Sequence, residues 1–126
     1  MTTPDLHVDL ERIKADILAL SSIGRNERDR GIYRMAFTKE DMEGKGWLLH
    51  RIEENGLVGA SDGAANISGV LPGRKEYPRI FAGSHIDTVP CAGMLDGTLG
   101  VVVALECMRV MKAAGMELEY TTELIA

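Results

Sequence analysis

The 126-residue sequence is poor in aromatic residues: they make up 5% of the chain, and Trp47 is its single tryptophan. Stacking on nucleobases or sugar rings is therefore a poor candidate for its main task. Basic runs are missing too. Fourteen Lys and Arg against nineteen Asp and Glu leave a net charge of −5, with no basic run to neutralise a phosphate backbone, which excludes nucleic acid as the expected partner. Cys91 and Cys107 form no spaced framework, and no charged n-region with an apolar h-region precedes them, so a reducing cytoplasm is the expected compartment. The longest apolar run, Leu99 to Leu105, meets Glu106 and Arg109 well short of the ~20 residues that span a bilayer. No repeat, low-complexity tract or linker divides the chain.

What is present is a globular composition, 45% hydrophobic and 26% charged, on a chain of a length that suits one core. Thr3 and Pro4 offer a helix start, and Leu6, Leu10, Ile13, Ile17 and Leu20 follow at helical spacing up to Gly24. Arg25 to Phe37 has neither helical nor strand period and reads as a loop. Thr38, followed by Lys39, Glu40 and Asp41, predicts a second helix, with Met42, Leu49 and Ile52 on one face and Asn55-Gly56 as its stop. Gly44 and Gly46 weaken that helix by ~1 kcal/mol each relative to alanine, which points to tertiary support or close packing there.

Beyond Gly56 the period shortens. Leu57 to Ser61 and Asn66 to Leu71 predict a hairpin across Asp62-Gly63, followed by a turn at Pro72-Gly73 and a third apolar run over Arg79 to Gly83. Gly97 to Ala114 reads as an apolar helix and Glu117 to Ala126 as a strand. Strand, loop, buried helix and strand form a crossover unit that pairs parallel strands, so the expected class is α/β. The last strand stops on apolar residues without a turn, cap or polar tail, and the expectation is a chain that is cut there.

The chemistry gathers where the third strand ends. His85 and Asp87 stand two apart, and Asp96 opens the apolar helix. Imidazole and carboxylate are natural ligands for zinc or manganese. An aspartate two residues from a histidine can accept from its second ring nitrogen and fix the tautomer facing a metal. Gly93 and Gly97 let the intervening loop turn back toward His85. An isolated His-x-Asp also arises often by chance, and a lone strand-end histidine is more often a satisfied structural residue than a ligand.

The wider order of residues adds to this. Gly83-Ser84-His85-Ile86-Asp87-Thr88-Val89-Pro90, then Gly93, then Leu95-Asp96-Gly97-Thr98-Leu99-Gly100-Val101 resembles the M20 family of metallopeptidases and amidohydrolases. Within it the chain is similar to the N-carbamoyl-L-amino acid hydrolase, allantoate amidohydrolase and beta-ureidopropionase branch. Ser22-Ile23-Gly24, Met35 to Asp41 and Asp62-Gly63-Ala64-Ala65-Asn66 agree with that branch, so the resemblance covers nearly the whole chain.

The resemblance implies a zinc-exopeptidase-like fold: two leading helices, a hairpin and the crossover unit. It implies His85 as a ligand of one metal, Asp96 as a bridge between two, and Asp87 as the carboxylate that orients His85. Two divalent ions would bind and acidify a water that attacks an amide or ureido carbon, on an N-carbamoyl amino acid or ureido compound. Zinc, manganese, cobalt and nickel all accept such donors. The family pattern departs at Cys91-Ala92-Gly93-Met94-Leu95, where a glycine pair and a basic or polar residue are usual. It also continues into a paired-glutamate motif, later histidine ligands and an inserted lid or dimerisation domain. Residues 1–126 are thus expected to be one partial catalytic domain truncated before those parts, cytoplasmic, without a nucleic-acid or membrane partner, and inactive alone.

Other candidates have plainer readings. His7 and His50 are expected on helix surfaces or boundaries, Cys91 as a small packing residue and Cys107 in the core. Asp62 and Asn66 suit turn chemistry. Glu40, Asp41 and Glu43 are expected to form a solvated helix start, and Arg25, Arg28, Arg30 and Arg34 a surface loop. The alternative to an enzyme part is a non-catalytic module that pairs with another copy through the open edge of its last strand.

Overall fold

The first helix starts at an aspartate cap. In a computed structural model describing residues 4–126, helix α1 (Leu10–Ser22) opens with the Arg12 amide donating to the Asp9 carboxylate at 3.0 Å. Thr3 lies outside the described residues, and Pro4 to Asp9 carry no helix, so His7 precedes α1 instead of sitting on it. Leu6 and Leu10 are exposed, and the helix contributes Ile17 and Leu20 to the core.

Helix α2 (Lys39–Glu54) starts as its sequence requires, with the Asp41 amide donating to Thr38 Oγ1 at 3.3 Å. Its buried face differs from the expected one. Asp41, Gly44, Lys45, Leu48 and Ile52 point inward, while Met42 is exposed. The acidic start is therefore not uniformly solvated: Asp41 is fully buried, accepts from the Phe37 amide at 2.9 Å, and pairs with Lys45 Nζ at 3.1 Å. A hydrogen-bonded ion pair one turn apart lets this polar stripe go inside.

Strands β1 (Val58–Ser61) and β2 (Ile67–Leu71) form the antiparallel hairpin. Its turn is built on Asp62, whose carboxylate accepts from the Ala64 and Asn66 amides, each at 2.9 Å. Strand β3 (Lys75–Gly83), helix α3 (Thr98–Ala113) and strand β4 (Tyr120–Ile125) form the crossover, with β3 and β4 parallel. The sheet order is β1-β2-β4-β3, and β2 pairs with β4 antiparallel. This mixed four-stranded sheet with three helices is the expected α/β class. One expectation fails: β4 is paired on both sides, so the open edges belong to β1 and β3 and not to the last strand.

Ile67, Gly69 and Leu71 alternate toward the helices, which pack on that face, α2 over β1 and β2 and α3 over β3 and β4. Leu20, Leu48, Ile52, Val101, Val102, Leu105 and Leu124 are completely buried at this junction. Each large aliphatic side chain contributes ~2 kcal/mol of transfer free energy there. Cys107 lies on the exposed side of α3, outside the core assigned to it from sequence.

Candidate metal centre

Gly83 ends β3, and the chain then runs Ser84, His85, Ile86 and Asp87 along the top of the sheet. Ile86 alone of these goes fully inside, 1% exposed, and anchors the segment in the core. His85 and Asp87 on either side of it are left half-exposed, with side chains 51% and 42% accessible. Backbone alternation thus turns both polar residues outward together.

The two ring nitrogens of His85 face different partners. Nδ1 is 2.9 Å from the Asp87 main-chain carbonyl and 3.4 Å from its Oδ1. A carbonyl only accepts, so this contact is made with Nδ1–H donating, which turns Nε2 to the other side. Nε2 points toward Asp96, whose Oδ1 is 3.8 Å away. The structure thus brings His85, Asp87 and Asp96 together, the orienting contact being made more closely by the main chain of Asp87 than by its carboxylate.

Asp96 is placed by Gly97, the amino-terminal cap of α3, which has φ 72°. Only glycine takes that conformation without strain. The Thr98 amide donates to the Asp96 carbonyl at 2.8 Å, and the carboxylate lies beside the positive end of the helix dipole.

Beneath the cluster lies a residue that sequence reasoning put on the surface. Arg34 is fully buried. Its Nε donates to the Ile86 carbonyl at 2.7 Å, and its Nη1 to the carbonyls of Leu20 and Ile23 at 2.7 and 3.0 Å. Its Nη2 reaches Thr98 Oγ1 at 3.3 Å. Burial pushes its pKa down from the ordinary arginine value, against the pull of Asp41 and Asp87. The available signal was Gly44: a β-carbon there would stand 2.9 Å from Arg34 Cδ, so a glycine inside α2 marks a close neighbour.

An ion needs more donors than this. Among the described residues, no group of three or more His, Cys, Asp and Glu side chains is placed to hold a metal. The imidazole nitrogen and facing carboxylate fit two positions of a divalent shell, and the far ring nitrogen is secured as a metal-bound histidine requires. Cys91 is exposed and adopts φ 56°, a conformation favouring glycine. It packs as expected, although at the surface: a β-carbon on Gly31 would stand 2.7 Å from its Sγ. His50, on α2, is exposed, 3.3 Å from Glu54.

The model of Peptidase family M28 matches residues 66–126. An N-carbamoyl-L-amino-acid amidohydrolase of Paenarthrobacter aurescens is 37% identical over 117 residues, 92% of this chain and 28% of that protein. A crystal structure of a hydantoinase/carbamoylase family amidase from Burkholderia ambifaria superposes with a TM-score of 0.90 at 27% identity, over 97% of this chain and 30% of the other. The chain is similar over nearly its whole length to carbamoylase-type amidohydrolases. A ureidoglycolate hydrolase of Arabidopsis thaliana is 30% identical over 95% of this chain and 25% of its own length. The M20-type resemblance thus holds at the level of relatives and fold, although the matching family model is that of M28. The chain spans less than a third of the length of these relatives. No helix among the described residues is long and apolar enough to cross a membrane.

Proposed function

We propose that residues 1–126 supply the amino-terminal part of a binuclear-metal amidohydrolase that cleaves a carbamoyl or ureido C–N bond. His85 would hold one divalent ion through Nε2, Asp96 would be shared between two, and Asp87 would orient His85. The observation that carries this is the division of the His85 ring, Nδ1 against Asp87 and Nε2 toward Asp96 3.8 Å away. Divalent ions held there would lower the pKa of a water and polarise the scissile carbonyl. The protein's own part is to turn Nε2 toward Asp96, to carry Asp96 at the start of α3, and to leave the outward side of both groups open to a small molecule.

Relatives named for N-carbamoyl amino acids and ureidoglycolate support carbamoyl or ureido compounds as substrates. Two ligands do not complete a binuclear site, so residues 1–126 are read as one partial catalytic domain without turnover of its own. Two assays test this. The isolated chain with added manganese or zinc is expected to leave N-carbamoyl-L-amino acids intact, and robust hydrolysis would contradict the partial-site reading. Grafted in place of the matching segment of the Paenarthrobacter enzyme, the chain is expected to support hydrolysis that Asp96→Ala removes. A folded graft without activity would contradict the carbamoylase reading.

A second reading has one observation in its favour. The outer edge of β3 is unpaired, and Tyr77, Ile80 and Phe81 on this strand are 72%, 53% and 60% exposed. A long apolar edge invites strand addition by a second copy.

A further inference from the structure

We infer that Arg34 is a positioning residue for the His85 and Asp96 pair, its buried guanidinium tying the strand-end that carries one to the helix start that carries the other. This rests on the reading of that pair as metal ligands. The two ligands come from opposite ends of a loop, Ser84 to Gly97, whose closing glycine packs against His85. Arg34 contacts both ends. Its Nε holds the carbonyl of Ile86, next to His85, and its Nη2 holds Thr98, two residues beyond Asp96.

Its main chain grips the same segment. The Arg34 amide donates to Thr88 Oγ1 at 2.9 Å, and the Thr88 amide donates to the Arg34 carbonyl at 2.8 Å. Ile86 and Thr88, on either side of Asp87, are therefore both anchored on one residue. The guanidinium's other bonds, to Leu20 and Ile23, moor it to the end of α1.

A buried charge is normally retained against a carboxylate. None of the four acceptors of this guanidinium is one: three are main-chain carbonyls and the fourth is a hydroxyl. What distinguishes the site is direction, since donors leave a rigid plane toward three separate elements. A lysine ammonium is a point charge on a flexible stem and cannot reproduce that fan. The space is shaped for it, because Gly44 leaves room for the Arg34 stem.

The test follows the ring protons of the three histidines by NMR while manganese(II) is added to the metal-free chain, paramagnetic broadening marking occupancy. His7 beside Asp5 at 3.0 Å and His50 beside Glu54 at 3.3 Å report adventitious imidazole and carboxylate binding. In the wild type, His85 should broaden at lower manganese than either. If it broadens no earlier, the ligand reading fails and this inference falls with it.

Arg34→Lys should raise the manganese needed at His85 by about tenfold. Arg109→Lys, which loosens the buried contact of α3 with Asp16, should lower the melting temperature without moving the manganese midpoint. A folded Arg34→Lys with the wild-type midpoint overturns the inference, as does an equal shift in Arg109→Lys. Should Arg34→Lys not fold, Thr98→Val decides. It removes one acceptor at nearly constant volume, and its midpoint should rise several-fold. An unchanged midpoint in that variant overturns the inference equally.

Discussion

A β-carbon on Gly97 would stand 2.5 Å from Cε1 of the His85 ring and closer still to the His85 carbonyl oxygen. The glycine before α3 thus does two things: it takes a left-handed conformation, and it leaves the volume into which the candidate ligand ring fits. Gly97→Ala should cost about 2 kcal/mol and displace His85 from Asp96. Gly115→Ala is the reference, since Gly115 has φ 62° with open space around it and carries the backbone strain alone. Denaturant melts should show both variants destabilised, and only Gly97→Ala should need more manganese to broaden the His85 resonances. Equal manganese midpoints would remove the packing role given to Gly97.

The two glycines inside α2 should respond oppositely to alanine. Nothing lies within 4 Å of a β-carbon at Gly46, so Gly46→Ala should stabilise by ~0.5–1 kcal/mol through helix propensity. Gly44→Ala meets Arg34 Cδ at 2.9 Å and should destabilise by about 1–3 kcal/mol. Urea midpoints of the two variants check this, and a stabilised Gly44→Ala would show that Arg34 has room to yield.

Acid should loosen the junction of α1 and α3. Glu106 is fully buried and receives Arg12 Nε and Nη2, both at 2.7 Å, together with the Asp9 amide at 2.8 Å. Burial pushes its carboxyl upward, but the Arg12 guanidinium, the Asp9 amide and Arg109 outweigh that and hold it below the ordinary glutamate range. A depressed folded pKa means the contribution is complete above the unfolded value, near 4.5, and is lost as pH falls through the folded one. Glu106→Gln should cost ~2 kcal/mol at pH 7 and progressively less below about pH 4. Parallel stability curves for the two proteins between pH 7 and pH 3 would rule out this assignment.

Self-association has its own readout. If β3 pairs with a second copy, sedimentation should show dimers at high concentration, and Phe81→Lys should abolish them by charging the exposed strand. A strict monomer at millimolar concentration would leave the second reading without support.

Where local chemistry decided the structure, the sequence was legible. Thr38, the Asp62 turn and the apolar run of α3 each placed an element within a few residues of its observed position. His85, Asp87 and Asp96 were legible as neighbours because their spacing matched a known order and Gly97 returned the chain. Arg34, Asp41 and Lys45 were not. Their charge argued for water, yet Arg34 is buried by partners distant in sequence, Ile86 and Thr98, and Asp41 and Lys45 by pairing with each other one turn apart. The start of α1 was misplaced for a related reason. Thr3-Pro4 and Asp9 both resemble caps, and nothing local discriminates between them. Cys107 was assigned inward from an apolar neighbourhood, yet α3 buries a stripe on which Cys107 does not lie.

The placing of β4 between β2 and β3 also sets an order of events. Only Pro72, Gly73 and Arg74 separate β2 from β3 in the chain, yet the two strands do not touch; β4 fills the slot between them. The hairpin of β1 and β2 can form from nearby residues, but β3 has no strand partner until a segment more than thirty residues later arrives. Closing that loop is entropically costly and is repaid only when both faces of the slot pair together. Sheet assembly is therefore a late, all-or-none insertion, and substitutions in β4 such as Leu124→Ala should slow refolding more than equally destabilising ones in β1.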